Sequence, residues 1–320
     1  MRLKDFILLF VVFSSMLAGI LFPGFGKYFQ PYPQYFLMGL FFLSFLSIRP
    51  DAIRNLFTGS PAMLLSFSAF KILILPVVIY FIFTVVAPAY AASALLLSAI
   101  STGVTAPFIS NLVRGNTALV MVMVMVTSPL VPFTVPVLVK LLLSRSVEIS
   151  FMEMIQMLSL VIFVPIAVVE ILRKTAPRLI AGFVKVNYPV SLLLFALINL
   201  GVFSKYADFF HQEPATIITA TLVAMMLCAI YAVLGILFFM KRPIEDRIAG
   251  AVSVGNMNNV LVVVFSSHFF SPLEPTVAAL YLLPYFILII PMRIYGHWSR
   301  KHSAFIDGPF RDKQAQGQGA

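Results

Sequence analysis

Residues 246–269 read DRIAGAVSVGNMNNVLVVVFSSHF, an apolar segment interrupted halfway by the polar stretch Ser253-Val254-Gly255-Asn256-Met257-Asn258-Asn259. Its three asparagines fall within four residues, and amide side chains at membrane depth are costly unless they face protein or water. Unwound backbone in a membrane is tolerated under the same condition, where it lines a cavity. The stretch therefore predicts an inward-facing binding site, with the candidate residues Ser253, Gly255, Asn256, Asn258 and Asn259.

A second interruption lies in residues 89–115, AYAASALLLSAISTGVTAPFISNLVRG, at the stretch Ser101-Thr102-Gly103-Val104-Thr105-Ala106-Pro107. Gly103 is expected to loosen the helix there, and Pro107 removes a backbone donor and clashes with the preceding turn. The candidate site residues of this break are Thr102, Gly103, Thr105 and Pro107.

The composition predicts a multi-pass membrane protein. Hydrophobic residues make up 61% of the chain and charged residues only 11%, with a mean hydropathy of +1.01, whereas soluble proteins are about 45–50% apolar. The net charge of +10 fits basic residues in cytoplasmic loops better than nucleic-acid binding. We expect the first apolar run to be retained as a crossing of the cell membrane rather than removed as a signal peptide.

Apolar runs bounded by charges and by Pro or Gly predict ten transmembrane helices. They span residues 6–22, 34–48, 62–87, 89–112, 117–143, 152–172, 184–203, 214–240, 247–269 and 273–295. With ten crossings, 17 of the 22 Lys and Arg lie on the side of the two termini and four on the other, and the one left over is Lys71, inside the third helix. The positive-inside rule then makes both termini cytoplasmic. The tail at 300–320, rich in Gly, Gln and charge, is predicted to be disordered in the cytoplasm.

The predicted helices divide into two halves of five, residues 1–145 and 146–299. Because five is odd, two such units in sequence have opposite orientations, which is the inverted repeat common in secondary transporters. The interrupted helices are the fourth and the ninth, so the two breaks occupy matching places. The alternative, that Gly103 and Gly255 are packing glycines and Pro107 is an ordinary kink, does not explain this match.

Several stretches carry a resemblance to a known family. They are MGLFFLSFLSIRPDAIRNLF at 38–57 with FKILILP at 70–76, SNLVRGNTALVMVMVMVTSPLVPFTVPVL at 110–138, and AVSVGNMNNVLVVVFSSHFF at 251–270. In order and spacing they resemble the bile acid:sodium symporter superfamily. The resemblance implies an all-α fold of ten helices in two inverted repeats, in which helices four and nine are unwound and cross. It also implies a core domain beside a mobile panel, and transport of an organic anion or a similar small solute by alternating access.

The resemblance further implies two sodium ions in the core, and here the sequence departs from the family pattern. The family's Glu-x-Gly-x-x-Asn of helix nine becomes Ser253-Val254-Gly255-Asn256-Met257-Asn258, so that Ser253 replaces the acidic sodium ligand. The family's Gln before this Asn, its Ser-Asn pair of helix four and its hydroxyls of helix five fall on Met257, Ala106, Pro107, Val120 and Val124. The first sodium site is therefore expected to be lost.

Lys71 offers a replacement for the second sodium ion. Alignment of FKILILP with the family's third helix places Lys71 where a glutamine contributes to that site. An ammonium carries the same charge as sodium, and it either stays in place permanently or releases its proton when the site opens. The hypothesis is a carrier that is independent of sodium or coupled to protons. The alternative is that Lys71 reaches the membrane surface, which is strained because it lies about ten residues, or roughly 15 Å, inside its helix.

The sequence indicates no other chemistry. The four histidines have no metal-site spacing, and no phosphate-binding loop, nucleophile elbow or HExxH occurs, so we expect neither an enzyme nor a cofactor, with sodium as the one doubtful ion. Asn187, Asn199 and Tyr285 either line the site or make hydrogen bonds between helices. The expected partners are a small organic anion and the lipid bilayer, and the oligomeric state is left open.

Three alternatives are kept beside this reading. The chain is a sodium-coupled symporter with altered ligands, or a sensor or scaffold that keeps the fold without transport. An arsenite exporter of the related type is disfavoured, because that type relies on a cysteine in helix four and this helix has none.

Overall fold

The computed structural model describes residues 3–46, 61–143, 150–212 and 214–301. Over these residues the chain is helical, without a strand, and a single pair of residues forms an isolated antiparallel bridge. The helices are α1 (Leu3–Leu21), α2 (Pro33–Leu46), α3 (Pro61–Val86), α4a (Ala91–Ala99), α4b (Ala106–Leu112), α5 (Thr117–Leu143), α6 (Phe151–Thr175), α7 (Pro177–Lys205), α8 (Pro214–Phe238), α9a (Ile244–Gly255), α9b (Asn259–Phe269) and α10 (Leu273–Lys301). Short helices follow α1 at Pro23–Gly26 and α7 at Ala207–Gln212. The predicted all-α class is confirmed.

Six of the described helices are long and apolar enough to cross a membrane: α3, α5, α6, α7, α8 and α10. The number rises to seven if Phe10–Leu21 and Pro23–Phe29, which meet at 104°, form one span. Pro33–Leu46, Pro88–Ala99 and Asn259–Phe269 are apolar but shorter than the roughly 20 residues of a straight crossing. The chain is thus that of a multi-pass membrane protein.

Several predicted helix ends are wrong. Helix α7 begins at Pro177 rather than 184, α9a begins at Ile244 rather than 247, and α10 continues to Lys301 rather than ending at 295. In α10 the residues beyond 295 include Arg300 and Lys301, and long basic side chains let a helix continue into the polar interface. The predicted tail therefore begins too early at 300. Its residues 302–320, the division of the halves at 145, and positions 47–48 lie outside the described residues.

A wide helical turn places Lys71 in the interior. Residues Phe70–Ile74 of α3 form a π-helical turn, and Pro76 follows it after one residue, Leu75. A proline cannot donate its backbone hydrogen bond and its ring presses on the preceding turn. The π turn lies across this stretch and keeps the helix continuous. Such turns occur frequently at functional sites.

The helices pack in two groups. The panel group contains α1, α2, α6 and α7, in which α7 packs on both α1 and α2, and α6 packs on α2. The second group contains the two interrupted helices, and we call it the crossing group. It consists of α3, α4a, α4b, α5, α8, α9a, α9b and α10, in which α8 packs on α9a and α3 on α4a. Helix α9b contacts both α2 and α7, so the interrupted helix lies at the boundary between the groups.

Two glycines allow the closest helix contact in the crossing group. A Cβ added to Gly235 of α8 would lie 2.3 Å from the Gly250 carbonyl oxygen of α9a, and a Cβ on Gly250 would lie 2.3 Å from the Gly235 oxygen. In membranes, where lipid is as apolar as a leucine side chain, small residues of this kind let helix backbones approach.

Replacing Gly235 with alanine is therefore expected to lower the free energy of unfolding by about 1–3 kcal/mol, because the clash is with backbone that cannot move alone. Gly182→Ala on α7 is the matched control, since nothing lies within 4 Å of the added methyl and alanine is the better helix former. Thermal unfolding of the two purified variants in one detergent checks this. Equal unfolding temperatures would contradict the close approach.

Candidate functional site

Both predicted interruptions are present, and they lie against each other. Helix α4 is broken between Ala99 and Ala106, and α9 between Gly255 and Asn259. The Gly103 N–H donates to the Asn256 carbonyl oxygen at 2.8 Å, and the Asn258 N–H donates to the Ser101 carbonyl oxygen at 3.0 Å. Unwound backbone inside a membrane needs such partners. Each break supplies them to the other, and we call this contact the crossing.

Side chains from α5 and α10 hold the crossing in place. The Thr102 N–H donates to Thr127 Oγ1 at 3.1 Å, and Thr102 Oγ1 donates to the Ser253 carbonyl oxygen at 2.9 Å. The Tyr281 hydroxyl donates to the Gly255 carbonyl oxygen at 2.8 Å. Thr102, Ser253 and Gly255 therefore serve the crossing through backbone groups and one hydroxyl, and the structure places none of them on the wall of a described cavity.

The three asparagines are buried, as predicted, but they differ in their partners. Asn256 Nδ2 donates to the Tyr285 carbonyl oxygen at 3.0 Å. Asn258 caps α9b, because its Oδ1 accepts from the Leu261 N–H at 3.3 Å. Asn259 is 6% exposed, and neither atom of its amide has a hydrogen-bond partner among the described residues. Buried amides are almost always paired, so Asn259 stands out as the asparagine of the three whose whole amide lacks a partner in the described residues.

Pro107 does not kink a continuous helix, so the alternative of an ordinary kink is wrong and the predicted break is present. It stands in the first turn of α4b, whose N-cap is Thr105. The first backbone N–H groups of a helix lack internal partners in any case, so a proline is well tolerated there. Pro107 starts the second half-helix rather than bending the first, and it lines no described cavity.

Lys71 reaches the end of the first half-helix. Its side chain is 0% exposed, and its Nζ donates to the Ile100 carbonyl oxygen at 3.0 Å. Ile100 is the residue that ends α4a, and the C-terminal end of a helix carries partial negative charge. The lysine has no carboxylate partner in the described part of the chain. The predicted alternative, in which Lys71 reaches the membrane surface, is wrong.

A cavity of about 100 Å³ lies where the panel group meets the crossing. The crossing contributes Gly103, Thr105, Asn258 and Asn259 of the predicted site. The panel group contributes apolar walls and two hydroxyls: Leu37, Leu40, Phe41, Ser44, Ser191 and Phe195. Helix α10 adds Tyr285, whose hydroxyl is hydrogen-bonded to that of Thr105.

Sequence reasoning missed several residues of this site. Thr127 and Tyr281 hold the crossing, yet a hydroxyl in an apolar helix gives no signal that separates it from ordinary packing. Tyr285 has both roles weighed for it, because it lines the cavity and its hydroxyl bonds Thr105 of another helix. Asn187 and Asn199 donate to the backbone of neighbouring helices, at Leu43 and Val12 respectively, and Asn199 also lines a small cavity beside Asn259.

The sequence comparison identifies the family. The family model described as the sodium bile acid symporter family matches residues 34–213, which is more than half of the chain. The chain belongs to the sodium bile acid symporter family. Comparison with curated proteins gives no significant match.

Sodium bile acid symporters are membrane transporters, so family membership indicates a solute transporter. The matched region contains Lys71, the first interruption and Thr127, whereas the second interruption lies beyond it. The family match thus includes the first interruption of the crossing. The second interruption is assigned to the crossing from the hydrogen bonds described above.

Proposed function

We propose that the protein is a secondary transporter that moves a small organic anion by alternating access, with Lys71 in place of a coupling sodium ion. The observation that carries the proposal is the cavity between the panel group and the crossing, with the unpaired amide of Asn259 on its wall. A solute bound there touches both helix groups. Movement of one group past the other would carry the site from one side of the membrane to the other.

The chemistry of the cavity favours an organic anion. Its wall contains no Asp or Glu, so a cation would find no counter-charge. Asn259 and Val260 form the first turn of α9b, an 11-residue helix, whose N-terminal end carries partial positive charge. The walls supplied by Leu37, Phe41 and Phe195 are apolar and suit a hydrocarbon substituent.

Ten transmembrane spans in two inverted repeats remain part of the proposal. Four further spans are added to the six long helices. They are α1, the short α2, the pair α4a and α4b, and the pair α9a and α9b. The hydrogen bonds of the crossing support the repeat, because a shift of 155 residues turns Ser101 into Asn256 and Gly103 into Asn258. The same shift exchanges the two bonds. We place the termini in the cytoplasm from the charge distribution.

The same shift supports the role of Lys71. It relates the position of Ile100 to that of Gly255, so the two half-helices α4a and α9a end at equivalent carbonyl groups. The Lys71 ammonium binds the first, and the neutral Tyr281 hydroxyl binds the second. Of two related helix ends, one thus binds a side-chain amine, which in its protonated form supplies the charge that a bound cation would otherwise bring.

A sodium-coupled symporter is the second candidate, and one observation favours it. Ser101 Oγ, Ser253 Oγ and Asn256 Oδ1 are buried at the crossing and have no hydrogen-bond partner in the described residues. Oxygen atoms of this kind are the ligands that hard cations prefer. Sodium-dependent stabilisation of the purified protein would favour this candidate over a lysine-based one.

The test is thermal unfolding with a panel of small carboxylates, keto acids and sulfonates, in sodium chloride and in choline chloride. At least one anion is expected to raise the unfolding temperature in both salts. Asn259→Ala should weaken that anion's binding about tenfold, since one hydrogen bond is lost, while the unfolding temperature without solute stays unchanged.

Asn256→Ala is the contrasting variant, because its amide bonds the Tyr285 carbonyl at 3.0 Å and its loss should lower stability even without solute. The proposal fails if no anion stabilises the protein, or if Asn259→Ala binds as tightly as the wild type. An anion that binds but is not taken up by proteoliposomes would favour the sensor or scaffold.

A further inference from the structure

A second cavity, of about 340 Å³, lies at the opposite end of α4b from the crossing. Three arginines and a histidine dominate its wall: Arg114, Arg293, Arg300 and His297. Leu112 and Val113 complete the lining. The volume is within the range of about 300–1,000 Å³ that small-ligand sites occupy. The proposed transport function makes no use of this cavity, and the residues belong to the side predicted to be cytoplasmic.

The three guanidinium groups differ in their partners. Arg300 pairs with Glu245 at 3.0 Å. Among the described residues Arg293 donates through Nε, to the Leu112 carbonyl oxygen at 3.4 Å, and its terminal nitrogens have no partner there. The Arg114 side chain makes no hydrogen bond or ion pair with the described residues. Of the three arginines on the wall, Arg300 alone has a carboxylate partner among the described residues.

A second carboxylate, Asp246, is bonded outside the cavity wall. Asp246 Oδ1 accepts from Asn116 Nδ2 at 2.8 Å, in the loop that follows α4b, and it is not on the cavity wall. Capping of the α4b C-terminus would need a single cation. Arg293 already fills that role, so Arg114 is left without a structural task.

The backbone is shaped to bring these side chains together. Arg114 has a φ of 59° and is the one described residue other than glycine in the left-handed region, in a position after a helix that glycine usually occupies. On α10, a Cβ at Gly296 would lie 2.8 Å from an Arg300 terminal nitrogen. The glycine therefore leaves the space in which the Arg300 side chain folds back.

We propose that this cavity binds a phosphate-type oxyanion, either free phosphate or the headgroup of an anionic lipid. Planar guanidinium groups pair with two phosphate oxygens at once, and Arg114 and Arg293 have the free nitrogens to do so. Basic pockets between transmembrane helices on the cytoplasmic side are also where lipid headgroups bind. The bound anion would tie the end of α4b to α10.

The experiment compares unfolding temperatures in two settings. In detergent without phospholipid, sodium phosphate replaces sodium chloride at equal ionic strength. In nanodiscs, phosphatidylcholine alone is compared with a mixture containing phosphatidylglycerol. Stabilisation by phosphate in detergent assigns a free oxyanion, and stabilisation only by phosphatidylglycerol assigns a lipid headgroup. Both outcomes support the site.

Arg114→Gln and Arg293→Gln are each expected to weaken binding of the stabilising anion about tenfold, since each removes a charge-assisted pair. Arg178→Gln, an exposed arginine of α7 away from the cavity, is the matched control and should leave the effect intact. No specific stabilisation of the wild type, or an equal loss in the Arg178 variant, would overturn the proposal. Because Arg114 and Arg293 are exposed, their variants are expected to fold.

Discussion

Lys71→Met is expected to reduce solute uptake by about a hundredfold or more while the protein remains folded. The lysine is fully buried and its ammonium binds the Ile100 carbonyl at 3.0 Å. Methionine fills a similar volume but supplies no charge and no donor. If the ammonium stands in for a coupling cation, its loss removes the charge that balances an anionic solute during movement, and each 1.4 kcal/mol so lost corresponds to a factor of ten.

Stability is expected to change little, and this separates the functional role from a structural one. Removing the lysine leaves the Ile100 carbonyl without its donor, which costs about 1–3 kcal/mol. It also removes a charge that had to be taken out of water, and replacing buried charges with apolar residues is often neutral or stabilising. The two effects oppose each other, so the unfolding temperatures of variant and wild type should agree within a few degrees.

The measurement is uptake into proteoliposomes of whichever anion stabilises the protein most, with and without a sodium gradient. Wild-type uptake should be the same in both conditions. Lys140→Met is the matched control, because Lys140 is an exposed lysine near the end of α5 whose Nζ lies 4.9 Å from the centre of the Phe151 ring. A sodium requirement in the wild type, or normal uptake by Lys71→Met, would show that the lysine does not replace the ion.

The interruptions were predictable because their cause is local in sequence. Three asparagines in four residues, or Gly103 followed by a proline, disfavour a membrane helix wherever they occur. Local sequence does not fix the part that Pro107 plays within the break. A proline in a break is compatible both with a kink and with the start of a new helix, and only the hydrogen bonds of Ser101 and Gly103 across the crossing separate the two.

The partners of the site residues could not be predicted, because they come from distant parts of the chain. Lys71 and Ile100 are 29 positions apart, and Thr102 and Ser253 are 151 apart. The residues that line the panel side of the cavity could not be predicted from sequence either. Phe41 and Phe195 line it, yet an apolar residue facing a cavity has the same sequence pattern as one facing lipid.

Gly103→Ala is expected to disrupt the crossing itself and so to abolish both binding and uptake. A Cβ at this position would lie 2.6 Å from the Met257 carbonyl oxygen, 2.9 Å from its carbon and 3.0 Å from the Asn256 oxygen. All three atoms are backbone, so no side chain can rotate away. Relief of the clash would have to separate the two breaks and lengthen the bond from Gly103 N–H to Asn256, which is 2.8 Å.

The expected loss in the free energy of unfolding is about 1–3 kcal/mol for the clash, with about 1 kcal/mol more for each crossing hydrogen bond that breaks. Space alone is at issue, because no described glycine has a positive φ and alanine can adopt the same backbone conformation. Gly24→Ala is the control, since nothing lies within 4 Å of its added methyl. Unfolding temperatures and anion-induced stabilisation of both variants decide the matter. If Gly103→Ala kept the stability and anion response of Gly24→Ala, the crossing would be loose enough to admit a side chain, and its two breaks could not hold a solute site in a fixed geometry.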